Sequence, residues 1–506
     1  MNRREVLLAA AAAAAGAIHT SLASARKASA DLAELTLAEA SQKIRSGAVT
    51  SRDLVLASLQ RTEVENPRIN AFITVMREQA LADAATLDAE AGQKKFRSPL
   101  HGIPISLKDA IDTAGARTTA ASEQYENRVP TQDAHVVKRL RQAGAVIFAK
   151  ANLAEFSVSP TGASSYFGPV RNPWALERVT GGSSSGSAAA VATRMCFAAL
   201  GTDSGGSVRL PASWCSLVGL KPTDGLVSNT GIIPSVATLD TCGPIARTVE
   251  DVAMMFGPMV GYDPLDVKSV ASPTQDYVEL ARQPVKQLRV GVPRKGFFDE
   301  VDPQIARAVE DALKVIAKLT SGIKDVTLPP ETAAHDPMIN VAEVVAYHQK
   351  LLEHPEKYTV GTRNVLQWCA RYIEDAAQGS TSAKMVRYVE GLTAIQRLRR
   401  TIDGAFADFD VLALPTLKAF PPTIDAAVRA ESSPDIEDRP LFSIENTLTF
   451  NRLGLPALTL PCGFSAEGLP IGLMLCGPRY SEGRLLALGA AYERATEWHK
   501  RRPPKS

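Results

Sequence analysis

Cysteine is scarce: six in 506 residues, at 196, 215, 242, 369, 462 and 476, with no C-x-x-C pair. That excludes a disulfide scaffold, removes support from zinc-ribbon and thioredoxin-like readings, and leaves the thiols as small buried hydrophobes. The seven histidines include no H-E-x-x-H, so no helical metal-hydrolase motif is present. Neither sign of charge dominates: 56 Lys and Arg against 54 Asp and Glu leave +2. Without a basic excess to neutralise phosphates, a nucleic-acid partner is disfavoured. Beyond the first thirty residues there is no apolar run of about 18 residues, so the rest of the chain carries no membrane span. Repeats, low-complexity linkers and charge blocks are also absent. What remains, 45% hydrophobic and 22% charged residues, is the composition of a globular chain able to bury a large core.

Residues 1–30 read as an address. Arg3 and Arg4 form a twin-arginine pair, an alanine-rich apolar stretch runs from Val6 to Ile18, and small residues follow at Ala23-Ser-Ala25 and Ala28-Ser-Ala30. Charged start, short apolar middle and small-residue exit are the parts of an export signal, and the arginine pair points to the twin-arginine route. The expectation is a periplasmic or secreted bacterial protein, cut between Ala25 and Ala30, with no stable membrane insertion afterwards.

The remaining chain, 31–506, reads as one compact α/β domain with a helical elaboration at 330–406. Helical spacing is found over Leu35–Thr62, Asp133–Ala143, Ser187–Leu200 and Glu482–Glu497. Strands are expected at His101–Leu107, Ala145–Ala149, Leu288–Val292, Val411–Thr416, Ala457–Pro461 and Ile471–Cys476, with an extended loop over 156–187.

Two Gly/Ser-rich segments dominate the chemistry: Gly181-Gly-Ser-Ser-Ser-Gly-Ser187 and Gly201-Thr-Asp-Ser-Gly-Gly-Ser-Val-Arg209. Glycine is costly inside a regular element, so these runs serve a close approach. A phosphate cradle would need lysine where Ser187 stands. A hydrolase elbow, G-x-S-x-G, fits the letters Gly182–Gly186, but the charged residues before it do not suit a core strand. A bland flexible loop would leave the second Gly/Ser turn unexplained.

The order and spacing of GGSSSGSAAAVA, GTDSGGSVRLPAS and Gly219-Leu-Lys-Pro-Thr223 resemble the amidase signature family. So do His101–Asp109 (HGIPISLKD), Thr118–Ser122, Lys150–Phe156, Asp410–Thr416 and Asn451–Ala457. Ala121 and Ala151 depart from the family's usual glycine and threonine. The resemblance covers roughly residues 35 to 495 and implies a mixed central β-sheet covered by helices on both faces. It further implies a triad of Lys108, Ser183 and Ser207, with a cis bond before Ser183. Ser207 would be the nucleophile, Ser183 the proton bridge and Lys108 the base.

A lysine acts as a base only when neutral, so burial must bring its pKa towards neutrality. The bland alternative is a surface lysine, or one paired with Asp109. Backbone N–H groups of Ser204, Gly205, Gly206 and Ser207 could hold the oxyanion. Asp203 and Arg209 would brace the turn as an ion pair, and Ser184 would orient Lys108 through a hydrogen bond. Phe156 and Ser157, with Ser183, are the candidate substrate-binding residues, and Tyr347, His348, Trp368 and Tyr372 lie in the segment expected to complete the wall.

The expected reaction is hydrolysis of a small-molecule amide through an acyl-enzyme, releasing carboxylate and ammonia or amine, with no cofactor and no metal. The alternative is the glutamine-hydrolysing subunit of a tRNA-dependent amidotransferase, against which the export signal argues. A homodimer is left open, as are the leaving group and stereochemical preference.

Overall fold

The computed structural model describes residues 32–504 apart from 274, 330–335, 376–380 and 435–441; the export-signal reading of 1–30 lies outside the described residues. The strands are β1 (Phe72–Val75), β2 (Pro104–Lys108), β3 (Val146–Ala151), β4 (Arg171–Asn172), β5 (Ala175–Val179), β6 (Ala198–Asp203), β7 (Val218–Lys221), β8 (Thr241–Ala246), β9 (Val290–Val292), β10 (Ile323–Asp325), β11 (Val411–Pro415), β12 (Ala457–Phe464) and β13 (Pro470–Cys476). Eleven of them form one sheet in the order β1-β3-β2-β6-β8-β7-β12-β13-β11-β9-β10, and β4 and β5 form a separate hairpin. β3, β2 and β6 run parallel, as do β11, β9 and β10; the other adjacent pairs are antiparallel. The fold is therefore a single α/β domain built on a mixed sheet flanked by helices.

Strand alternation divides the core. Ile105 and Leu107 of β2, with Ala198 and Leu200 of β6, join an apolar cluster that includes Val252, Phe256, Leu485 and Leu488. Val146 and Phe148 of β3 and Ala199 of β6 join the cluster built around Ala188–Ala192. Each of Ile105, Leu107 and Leu200 is fully buried, contributing about 1.5–3 kcal/mol by leaving water. By the same period of two, Lys108 leaves the sheet on the side opposite Ile105 and Leu107.

The alanine-rich stretch 187–200 does not stay helical. Its helix spans Ser185–Ala192, and Ala198–Asp203 becomes the central strand β6. Alanine is the best helix former, but intrinsic propensity is small beside tertiary packing, and a site buried between β2 and β8 overrides it. The small side chains serve a close approach: a Cβ on Gly186 would strike backbone atoms of Ala71 and Asn152. The loop expected over 156–187 contains the β4–β5 hairpin. Within 330–406 lie helices Met338–His348, Val360–Asp375 and Thr381–Thr401. Residues of all three pack with Leu153 and Phe156, above the loop that follows β3.

Candidate active site

Parallel β2 and β6 end at the same edge of the sheet, which brings Lys108 beside the turn 203–207. Lys108 is fully buried, and its Nζ donates to Ser183 Oγ at 2.7 Å and to Thr202 Oγ1 at 2.7 Å. Burial pulls its pKa from the usual lysine range to about 7, although Asp240 and Asp203 favour the charged form. Asp109 does not pair with it; that carboxylate lies 3.1 Å from Lys150 Nζ.

Ser183 follows a cis peptide bond after Gly182. Its carbonyl accepts from Ala154 N–H at 3.1 Å, and Ser184 N–H donates to the Ser207 carbonyl at 3.3 Å, so the two serine segments are stitched together. The bond expected from Ser184 to Lys108 is not made. Ser184 Oγ instead donates to the Thr202 carbonyl at 3.2 Å and accepts from Thr202 N–H at 3.3 Å. The side chain that shares Lys108 with Ser183 is Thr202, which the sequence reading passed over although it stands inside G-T-D-S-G-G-S.

The turn is braced from within. Asp203 and Arg209 form a fully buried, two-pronged ion pair at 2.9 and 3.0 Å. Burial alone would raise the Asp203 carboxyl, but the guanidinium more than offsets it and holds the group well below the usual carboxylate range. Asn451 ties both partners, accepting from Arg209 at 2.6 Å and donating to Asp203 Oδ1 at 2.9 Å. Asp203 Oδ1 also accepts from Gly206 N–H at 2.8 Å. The four-donor oxyanion site expected from sequence is thereby corrected: the Gly206 N–H is already engaged. Among the described residues, the N–H groups of Ser204, Gly205 and Ser207 have no hydrogen-bond partner. Gly206 has φ +129°, and a Cβ there would collide with Thr447. Ser204 Oγ is held by Asp240, a buried carboxylate far away in sequence.

Ser207 is half-buried and opens into a cavity of about 90 Å³ lined by Ser157, Val158, Ser159, Pro160, Gly182, Ser204, Gly205, Gly206, Leu210 and Ile444. Among the described residues the Ser207 hydroxyl has no hydrogen-bond partner, whereas Ser183 Oγ is engaged by Lys108. Of the candidate substrate residues, Ser157 lines the cavity, while Ser183 sits behind Gly182. Phe156 does not reach the cavity: it stacks in an aromatic cluster, with ring centroids 5.4 Å from Tyr125 and 4.6 Å from His348. Phe156 (φ +48°) and Ser157 (φ +64°) are both left-handed, so side chains adjacent in sequence face different surroundings. Tyr347 and His348 belong to that aromatic cluster, and Trp368 packs on Tyr372 at 5.3 Å. Among the described residues no three His, Cys, Asp or Glu side chains gather as a metal site.

A family model described as Amidase matches residues 53–486. The chain belongs to the amidase family. It is 36% identical over 490 residues to a glutamyl-tRNA(Gln) amidotransferase subunit of Geobacter sp. (strain M21), covering 94% of this chain and all of that one. Among solved structures, 6-aminohexanoate cyclic dimer hydrolase matches with TM-score 0.83 and 27% identity, over 94% of this chain and 99% of that one. Peptide amidase from Stenotrophomonas maltophilia matches with TM-score 0.79 and 31% identity, over 93% and 98%. Membership makes this chain an amidase-family hydrolase acting on carbon–nitrogen amide bonds.

Proposed function

We propose that the chain is a self-contained, exported hydrolase of uncharged carboxamides, with Ser207 as nucleophile, Ser183 as proton bridge and Lys108 as base. The observation that carries this reading is the buried Lys108 Nζ, 2.7 Å from Ser183 Oγ, behind a turn whose Ser207 faces a cavity. Neutral Lys108 takes the Ser183 proton as Ser183 takes that of Ser207. Ser207 Oγ bonds to the amide carbon, and the carbonyl electron pair moves to oxygen beside the N–H groups of Ser204, Gly205 and Ser207. The proton returns through Ser183 to the leaving nitrogen as the C–N bond breaks. Water then repeats the sequence on the acyl-enzyme and releases the carboxylate.

The cavity lining supports an uncharged acyl group. Val158, Pro160, Leu210 and Ile444 supply apolar surface, and no charged side chain is among the lining residues. The twin-arginine pattern of residues 1–30 supports export to the periplasm or beyond.

A second reading is the glutamine-hydrolysing subunit of a tRNA-dependent amidotransferase. Similarity to known relatives favours it over the first, because the Geobacter amidotransferase subunit aligns over 94% of this chain. Glutamine carries an ammonium and a carboxylate, however, and burying both without partners is costly.

The deciding experiment screens the purified chain and its Ser207→Ala variant by mass spectrometry against neutral primary amides, anilides, peptide amides, esters and glutamine. Ser207-dependent cleavage of neutral amides with glutamine untouched supports the first reading. Cleavage of glutamine alone supports the second. Equal turnover by both proteins removes Ser207 as nucleophile.

A further inference from the structure

We propose that Glu431 is a positioning residue for this reaction: its carboxylate clamps residues 155–164 into the cavity wall and so sets which acyl groups fit. The proposal rests on the hydrolase reading above.

Segment 155–164 closes on itself, with Glu155 N–H donating to the Ser164 carbonyl at 2.8 Å. Its inner part, Ser157 to Pro160, lines the cavity. It also touches the catalytic peptide, since Gly182 N–H donates to the Pro160 carbonyl at 2.7 Å. Two of its non-glycine residues, Phe156 and Ser157, have left-handed backbone, a conformation that persists only where the surroundings enforce it.

Beside the backbone bonds from Phe156 N–H to the Ala120 carbonyl (2.9 Å) and from Ser157 N–H to the Ala154 carbonyl (2.8 Å), two carboxylates tie the segment down. Glu155 Oε1 accepts from Ser122 Oγ at 2.5 Å, and its Oε2 accepts from Thr359 N–H at 2.9 Å and Thr359 Oγ1 at 2.6 Å, which fixes one end of the segment. Glu431, on the helix Ile424–Ser432, holds the other end. Its Oε1 accepts from Ser159 and Thr161 hydroxyls and its Oε2 from the Ser164 hydroxyl. Glu431 is buried, and among the described residues no Lys, Arg or His forms an ion pair with it. All three donors come from this one segment, and one of them, Ser159, is itself on the cavity wall. A carboxylate accepts every such bond more strongly than a neutral group would. An amide in its place offers one acceptor oxygen where the three hydroxyls now share two, so the hydroxyl facing its nitrogen loses its acceptor and must turn to accept instead.

The test compares the full-length wild type with Glu431→Gln, Ser164→Ala and Ser207→Ala. Backbone hydrogen exchange reads the clamp without reference to activity. Glu431→Gln is expected to speed exchange by about tenfold or more, confined to 155–164, the scale of losing a charge-assisted hydrogen bond. Initial rates on straight-chain primary amides of increasing acyl length read the consequence. Glu431→Gln is expected to raise KM by about tenfold, more than it lowers kcat, and to flatten the chain-length preference; Ser164→Ala moves the same way by less. Unchanged exchange at 155–164 in a folded Glu431→Gln protein overturns the clamp, and so does faster local exchange with an unaltered chain-length preference. If Glu431→Gln does not fold, Ser164→Ala decides on the same two readouts. Failure of the hydrolase reading shows separately, as turnover that survives Ser207→Ala.

Discussion

Replacing Lys108 by methionine should abolish activity and raise stability together. The lysine is buried with its pKa near 7, against 10.5 in its unperturbed state. The fall from 10.5 to about 7 corresponds to about 5 kcal/mol, at roughly 1.4 kcal/mol for each tenfold change in the proton equilibrium. The sign follows from proton counting. The folded pKa is depressed, so between about pH 7 and about pH 10.5 the unfolded chain binds more protons than the folded one, and stability rises with pH across that window. At pH 7 and below the full penalty is present. Methionine removes it but also removes the bonds to Ser183 and Thr202, leaving a net gain of about 1–3 kcal/mol. An unfolding entropy of about 2 cal/mol/K per residue gives roughly 1 kcal/mol/K for a chain of this length, so Tm should rise by about 1–3 °C.

Activity follows the opposite course. Losing a general base costs about 10²–10⁴ in kcat. With a pKa of about 7, Lys108 is mostly charged at pH 6 and mostly neutral at pH 8, so kcat/KM should climb about tenfold between them. Thermal unfolding of both proteins at pH 7 and a wild-type pH profile test the pair of claims. A kcat/KM flat from pH 6 to pH 8, or a Lys108→Met protein keeping more than a tenth of wild-type activity, would refute Lys108 as the base. A fall in Tm would refute the assignment of its burial as a net cost.

Asp203→Asn leaves Arg209 buried without its counter-charge and should cost about 3–5 kcal/mol, read as a lower unfolding midpoint in urea. An unchanged midpoint would mean that Asn451 alone satisfies the guanidinium. Gly206→Ala places a methyl group against Thr447 at φ +129° and should lower kcat at least tenfold by displacing the turn. Wild-type kcat in that variant would show that the turn tolerates the shift.

Legibility from the sequence follows the range of the interactions. Lys108 was legible through the family resemblance, with the single charge closing an apolar strand as local support, and the two Gly/Ser runs stood out because so many glycines and serines together are unusual in a core element. Both are local anomalies. Asp240 and Glu431 left no such mark: each is an ordinary acid whose role exists only once the topology brings it to hydroxyls 36 and 267–272 residues away. The run 187–200 failed differently. Its alanines favour helix, and the pairing of β6 with β2 and with β8, invisible in a local window, overrode that preference from Ala198 onward. At Phe156 the segment was legible but the direction was not, because the left-handed pair 156–157 points the large ring into the aromatic cluster and the small serine into the cavity.

Three buried strand lysines show why geometry must complete such a reading. Lys108, Lys150 and Lys221 are all fully buried, and burial lowers the pKa of each. A depressed lysine is therefore not by itself a base in this fold. Lys150 lies 3.1 Å from Asp109, a carboxylate that favours its charged form. Lys221 donates to the Pro222 carbonyl at 2.9 Å, an acceptor that carries no transferable proton. Lys108 alone of the three contacts the Ser183 hydroxyl, next to the cavity that Ser207 faces. Lys150 also reaches a hydroxyl, Thr118 Oγ1 at 2.6 Å, so a proton within reach is not enough; Lys108 is selected because its hydroxyl partner, Ser183, adjoins the cavity that Ser207 faces, whereas Lys150 is paired with Asp109.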